Sequence, residues 1–158
     1  MRIGLGYDVH PLVPGEPLIL GGVLIPHDRG LKGHSDGDVL CHAIMDSLLG
    51  ACGLPDIGNW FPPGNSLYRK ARSVFLLREI CEMVREQGWN IENVDGTIIA
   101  EQPKIAPFVP EIKKMLAQAM EIEVGAIGIK ATTNEGLGSI GRGEGISCFA
   151  VSLVFRDG

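Results

Sequence analysis

The sequence predicts an α+β fold, a single domain over residues 1–158 in which a mixed β-sheet carries helices on one face. Three observations lead there. Strand-like stretches stand first, in the middle and last along the chain, with three stretches of helical periodicity between them. No internal repeat or low-complexity tract breaks that order. A chain of 158 residues, 45% of them hydrophobic, is long enough to fill one ordinary core and too short for two.

The elements follow in order. Ile3 to His10 has the spacing of a strand, and Leu18-Ile19-Leu20 and Val23-Leu24-Ile25 flank Gly21-Gly22, which predicts strands joined by a turn. From Asp38 to Cys52, apolar Val39, Ile44, Leu48 and Leu49 alternate with Asp38, His42 and Asp46, three polar residues spaced four apart on one helical stripe. Ser35 or Asp36 is the expected N-cap. Asp56 to Arg72 is rich in Pro, Gly and Asn and reads as a long loop, where function concentrates. Ser73 to Gln87 repeats Leu77, Ile80, Cys81 and Val84 and stops at Gly88, as an amphipathic helix does. Val94 to Ala100 reads as a strand. Pro107 to Ile122 reads as a helix with Pro110 near its start and Ile112, Leu116 and Met120 on its inner face. Ile127 to Thr133 and Ile146 to Phe155 are the closing strands.

Bulk properties narrow the function classes. A formal net charge of −5 argues against a surface that neutralises a nucleic-acid backbone, so no nucleic-acid partner is expected, while small anionic ligands remain compatible. Cys41, Cys52, Cys81 and Cys148 are scattered without a C-x-x-C pair, which predicts buried reduced thiols. The opening Met1-Arg2-Ile3-Gly4 has neither a signal-peptide core nor a transit-peptide composition, and no apolar run approaches membrane-spanning length. A cytoplasmic location without a membrane partner is the expectation.

Chemistry gathers at a few places. Asp8 and His10, two apart in a strand, point to the same face, and His42 lies on the polar stripe of the helix that follows. One carboxylate and two imidazoles suit zinc, and three ligands leave a position open for a substrate oxygen. Either histidine taken alone reads rather as a hydrogen-bonding group near a turn. His34-Ser35-Asp36-Gly37-Asp38 stands at a strand-to-helix junction, a natural phosphate site by its exposed N–H groups or else an ordinary capping sequence. Gly136-Leu137-Gly138-Ser139-Ile140-Gly141 has the spelling of a dinucleotide fingerprint, but Arg142-Gly143-Glu144-Gly145 leads into a strand rather than a helix, so that reading is rejected. It is read as a glycine hairpin, or as a loop whose backbone must approach a ligand or another subunit closely. Arg142-Gly143 before Phe149 faintly suggests an RNA-recognition strand that lacks its stacking aromatics. Lys130-Ala131-Thr132-Thr133-Asn134-Glu135 ends a strand with two hydroxyls and a carboxylate.

Gly-Tyr-Asp-Val-His at 6–10, His-Ser-Asp-Gly-Asp at 34–38 with His42, Asp-Ile-Gly at 56–58, Phe-Pro at 61–62, and Lys-Ala-Thr-Thr-Asn-Glu through Gly-Arg-Gly-Glu-Gly at 130–145 together resemble the 2-C-methyl-D-erythritol 2,4-cyclodiphosphate synthase family. The resemblance runs nearly from Met1 to Gly158. It implies a homotrimer with active sites between neighbouring chains, and a cytidine diphosphate substrate closed to a cyclic diphosphate with release of CMP. By the same resemblance Asp8, His10 and His42 would hold zinc or another divalent metal, and Glu135 a magnesium or manganese ion on the diphosphate. His34 and Thr133 would stabilise the transition state, and Ser35 would position a phosphate. Asp56, Ile57 and Gly58 would hold the ribose, with Phe61 beside them. Ala100 to Ala106, with Lys104 and Thr132, would enclose the cytidine diphosphate, and Arg142 of three chains would gather at the trimer axis.

Two places depart from the family pattern. Pro63-Gly64-Asn65 replaces Asp-Thr-Asp after Phe-Pro, and Ser139 stands where an aromatic is common. Contacts to the erythritol hydroxyls and to the axial cavity therefore lie outside what the resemblance carries. Two other readings compete: a zinc phosphohydrolase using the same three ligands, and a non-catalytic nucleotide- or RNA-binding module, which leaves Asp8, His10 and His42 without a purpose.

Overall fold

In the computed structural model, which describes residues 1–62 and 64–156, five strands form one mixed sheet in the order β4-β1-β7-β5-β6. β1 (Arg2–Pro14) pairs antiparallel with β4 (Arg29–Leu31) and β7 (Gly145–Phe155), and β7 pairs antiparallel with β5 (Asn90–Ile99). Only β5 and β6 (Ile127–Thr132) run parallel, because the helical crossover α4 (Val109–Met120) joins them. A separate two-stranded ribbon, β2 (Leu18–Leu20) with β3 (Val23–Ile25), turns at Gly21-Gly22, both of which have positive φ.

Three long helices cover one face of the sheet. α1 (Val39–Cys52) lies on β1 and β7, α3 (Ser73–Glu86) packs beside it, and α4 packs against α3 and β6. α1 is buried almost all round, and its Ile44, Met45, Leu48 and Leu49 form the centre of the core with Leu77, Ile80, Ile98 and Leu116. The strands alternate as a half-covered sheet demands. Gly4, Gly6, Asp8, His10 and Leu12 of β1 face the helices, whereas Ile3, Leu5, Tyr7 and Val9 face away and are exposed. All four cysteines are free and buried, and burial pushes the Cys81 thiol up to about 12, so they are packing residues rather than nucleophiles. Among the described residues no helix is long and apolar enough to cross a membrane.

The structure corrects several expectations. The α1 N-cap is Asp38 rather than Ser35 or Asp36: its carboxylate accepts from Cys41 N at 3.1 Å and also from Gly21 N and Gly22 N, which ties the ribbon to the helix. The long loop contains a single helical turn, α2 (Ile57–Trp60), and a 3-10 turn at Ser66–Tyr68. β4 is too short to carry a sequence period. The glycine stretch is not a hairpin: β5 lies between β6 and β7, so the connection crosses it, and Gly138–Gly141 forms one helical turn, α5. α5 does not join the helical layer. With Asn134 and Ile140 it overlies Tyr7, Ile99, Ser147 and Phe149 on the opposite face, around a cavity of about 350 Å³.

Candidate active site

The site begins with two glycines. A Cβ at Gly4 would stand 1.9 Å from Ser47 O, and one at Gly6 would stand 1.9 Å from Ala43 O, so α1 rests directly on the β1 backbone with no side chain between them. Helix and strand run antiparallel, and His42 therefore arrives beside Asp8 and His10 where β1 leaves the glycines behind. His42 Nδ1 lies 2.9 Å from Asp8 Oδ2, His10 Nε2 lies 2.9 Å from the same oxygen, and the two nitrogens are 3.1 Å apart. Among the described residues this is the one group of three or more His, Cys, Asp or Glu side chains close enough to share an ion.

Its chemistry calls for a cation. His10 Nδ1 donates to Lys32 O at 2.8 Å, and since a carbonyl only accepts, the neutral ring must present a bare Nε2 to the triangle. Asp8 Oδ2 and a bare nitrogen 2.9 Å apart repel unless a proton or a metal ion sits with them. Burial alone would raise the Asp8 pKa, but hydrogen bonds and charge from His10 and His42 outweigh it and hold the carboxyl far below the usual range. Burial likewise pushes His10 down, and Asp8 more than reverses it. Three corners of a tetrahedron with bonds of about 2.0–2.1 Å stand about 3.3 Å apart, close to the triangle seen here. The residues present thus fit a tetrahedral divalent ion such as zinc.

Around the triangle, Ser35 Oγ and Ser73 Oγ each lie 3.0 Å from His42 Nε2, and Asp36 binds Ser73. Ser73 carried no functional expectation, since a serine opening a helix reads as a cap, and Asp36 entered only as a member of the 34–38 run and as an expected cap. His34 is exposed, and its carbonyl accepts from Lys70 N at 3.1 Å, which fastens the junction to the end of the 56–72 loop. Asp56 caps α2 through Gly58 N at 2.8 Å, and Ile57 N donates to Asp46, so those two amides are occupied. Phe61 packs edge-on against Tyr68, 5.1 Å between centroids, over a cavity of about 280 Å³ beside α3. Pro63 lies outside the described residues.

The remaining expected residues other than Arg142 stand at the same end of the sheet but on its other edge. Thr132 pairs with Ile99, Ile99 with Ser147, and Ser147 with Val9, so β6 ends three strands away from the triangle, about 14 Å across the sheet. Thr133 Oγ1 donates to Glu135 Oε1 at 3.3 Å, and Glu135, at φ 51°, presents an exposed carboxylate. Ala100 N donates to Thr132 O, and Lys104 and Ala106 are exposed beside it. Glu101, which drew no attention in the sequence, accepts from Asn134 N at 2.7 Å and Gly136 N at 3.4 Å, the amides on either side of Glu135. Arg142 is exposed and donates to Glu144 at 2.6 Å, and the carbonyls of Gly143 and Glu144 accept from Arg29 and Leu12, on the β1–β4 side of the sheet.

A family model described as the YgbB family matches residues 1–155. The chain belongs to the YgbB family. Curated relatives named 2-C-methyl-D-erythritol 2,4-cyclodiphosphate synthase include one from a Synechococcus species, 54% identical over 156 residues and covering 99% of both chains. Another, from Moorella thermoacetica, is 54% identical over 98% of this chain and 94% of its own. Among solved structures, the CDP complex of Plasmodium falciparum IspF matches 99% of this chain and 97% of its own, at 38% identity and a TM-score of 0.86. Bifunctional IspDF from Campylobacter jejuni matches at 38% identity and a TM-score of 0.95 over 99% of this chain, which spans 42% of that longer one. The mixed α+β fold is thus shared with relatives whose printed names carry the synthase reading. None of these relatives bears the name of a phosphohydrolase or of a nucleotide-binding module.

Proposed function

We propose that the chain converts 4-diphosphocytidyl-2-C-methyl-D-erythritol 2-phosphate to 2-C-methyl-D-erythritol 2,4-cyclodiphosphate and CMP, a step in non-mevalonate isoprenoid precursor synthesis. The observation that carries this reading is the Asp8–His10–His42 triangle in a chain whose whole length matches synthases of that name. The 2-phosphate oxygen attacks the β-phosphorus of the cytidine diphosphate arm. A new P–O bond closes the ring, and the bond to the α-phosphate oxygen breaks with CMP as leaving group. Both partners are anions, so catalysis is positioning and charge neutralisation and needs no protein nucleophile.

A divalent ion at Asp8, His10 and His42, zinc by the donor set, would neutralise the reacting phosphates, and a magnesium or manganese ion at Glu135 would do the same for the diphosphate. Ser35 supplies a hydroxyl to a phosphate oxygen. His34 and Thr133 donate where charge accumulates in the transition state. Asp56, Ile57, Gly58 and Phe61 hold the ribose side, while Ala100, Lys104, Ala106 and Thr132 enclose the cytidine diphosphate.

The about 14 Å between triangle and Glu135 edge supports a site completed by a neighbouring chain. So does the far face of the sheet, where Ile3, Leu5, Tyr7, Val9, Phe149 and Val151 form an exposed apolar surface of the kind that marks an interface. A homotrimer covers that face and brings Arg142 of each chain near its axis. Four buried free thiols suit a reducing cytoplasm. Incubation with the cytidine diphosphate substrate and magnesium tests the reaction: CMP is released by the native chain and not by His42→Ala, and an equal rate from that variant would remove the triangle from the chemistry.

A further inference from the structure

The hydrogen-bond inventory around His42 fixes which way each proton points. Asp36 Oδ1 lies 2.5 Å from Ser73 Oγ and 3.3 Å from Asp38 N, and Oδ2 accepts from Ser73 N at 3.0 Å. Both carboxylate oxygens are therefore acceptors, and the single proton of the Ser73 hydroxyl is committed to Asp36. What Ser73 Oγ has left is lone pairs, and these face His42 Nε2 at 3.0 Å and Ser35 Oγ at 2.9 Å. A bare Nε2 would oppose the Ser73 lone pair, so with a cation at the triangle Nε2 carries the N–H and the lone pair of the neutral ring falls on Nδ1, the atom beside Asp8 and His10. Ser73 is fully buried, so water does not take its place. A donating Nε2 has no use for the Ser35 proton, which turns either to Ser73 or outward to a ligand.

We propose that Ser73, oriented by Asp36, is a positioning residue that makes His42 present Nδ1 to the metal and leaves the Ser35 hydroxyl proton for the substrate phosphate. This rests on the metal-site reading given above and extends it to two residues outside the ligand set. Ser73 is the first residue of α3, where Arg72 offers no side-chain cap, and Asp36 takes over by holding the Ser73 amide. Asp36 N in turn donates to Ala71 O at 3.1 Å, so the 34–38 junction and the start of α3 lock together and carry the hydroxyl to the imidazole. Without Asp36 the Ser73 proton is free to rotate toward Nε2, which would move the ring proton to Nδ1 and turn the ligand atom into a donor.

The test compares native chain, Ser73→Ala and Asp36→Ala. ¹H–¹⁵N spectra of the zinc-loaded proteins report the shift of the His42 Nε2 proton and its exchange with water. Zinc affinity is read by competition with a chromophoric chelator. In the native chain that proton is expected far downfield and slow to exchange, held by Ser73 Oγ. Both variants are expected to show it shifted upfield and exchanging faster, and to bind zinc about 10–100-fold more weakly, the usual effect of removing a partner of a metal-bound histidine. A purely structural role would lower stability without moving that resonance. A native Nε2 proton resonance with native zinc affinity in Ser73→Ala would overturn the proposal, and Asp36→Ala provides the same readout through a second residue. Failure of the native chain itself to bind zinc would count against the metal site, whereas the Nε2 proton of the zinc-loaded chain judges Ser73 by itself.

Discussion

A carboxylate that grips the backbone on both sides of another acid has a positional task. Glu101 accepts from the amides of Asn134 and Gly136, and Glu135 between them holds a left-handed φ of 51°, a conformation most side chains avoid. Glu101 thereby keeps the Glu135 carboxylate and the Thr133 hydroxyl aimed off the end of β6. Removing the acceptor lets that turn relax, and a displacement of about 1 Å at a positioning group can lower rates about 100-fold. Glu101→Ala is expected to reduce kcat/KM about 10–100-fold and to raise the magnesium requirement while zinc content stays native. Glu101→Gln, whose amide oxygen still accepts, should remain near the native value. Steady-state kinetics over a magnesium series checks both, and a native-like Glu101→Ala would deny Glu101 this task.

At the scale of elements, the contact of α1 with β1 decides whether a metal centre exists at all. Because Gly6 lets the Ala43 carbonyl touch the strand, Gly6→Ala must push α1 outward, and it carries His42 with it. Overpacking of this kind costs about 1–3 kcal/mol or more. The variant should melt earlier in a denaturant titration and bind zinc more weakly than its stability loss alone explains; unchanged zinc affinity would separate the helix contact from the site. Much of this was legible in the sequence. Strand parity placed Asp8 and His10 on one face, and the four-residue spacing placed His42 with Asp38 and Asp46 on one polar stripe of α1, because both follow from local backbone periods. Asp38 was read as the first residue of that stripe rather than as the cap, and its further bonds to Gly21 and Gly22 of a distant ribbon leave no local sign. The crossover of the glycine loop was hidden because strand order is a long-range property. Ser73 and Glu101 act through hydrogen bonds to residues more than thirty positions away, and no sequence period reports these.

Over the whole molecule, one chain separates the two halves of the proposed chemistry, with the Asp8–His10–His42 triangle on one edge of the sheet and Glu135 on the other. A ring of three chains repeats a heterologous contact, so the triangle of each can meet the β6 edge of the next. Mixing unfolded His42→Ala and Glu135→Ala chains and refolding them together should restore activity, with about one competent site in each mixed trimer. A mixture as inactive as its parents would place each site within a single chain. The synthase reading itself is tested most directly by ³¹P NMR of the completed reaction with 4-diphosphocytidyl-2-C-methyl-D-erythritol 2-phosphate and magnesium. The expected products are CMP and a cyclic diphosphate in equal amounts with no orthophosphate, and orthophosphate released in place of the cyclic diphosphate would make the chain a hydrolase.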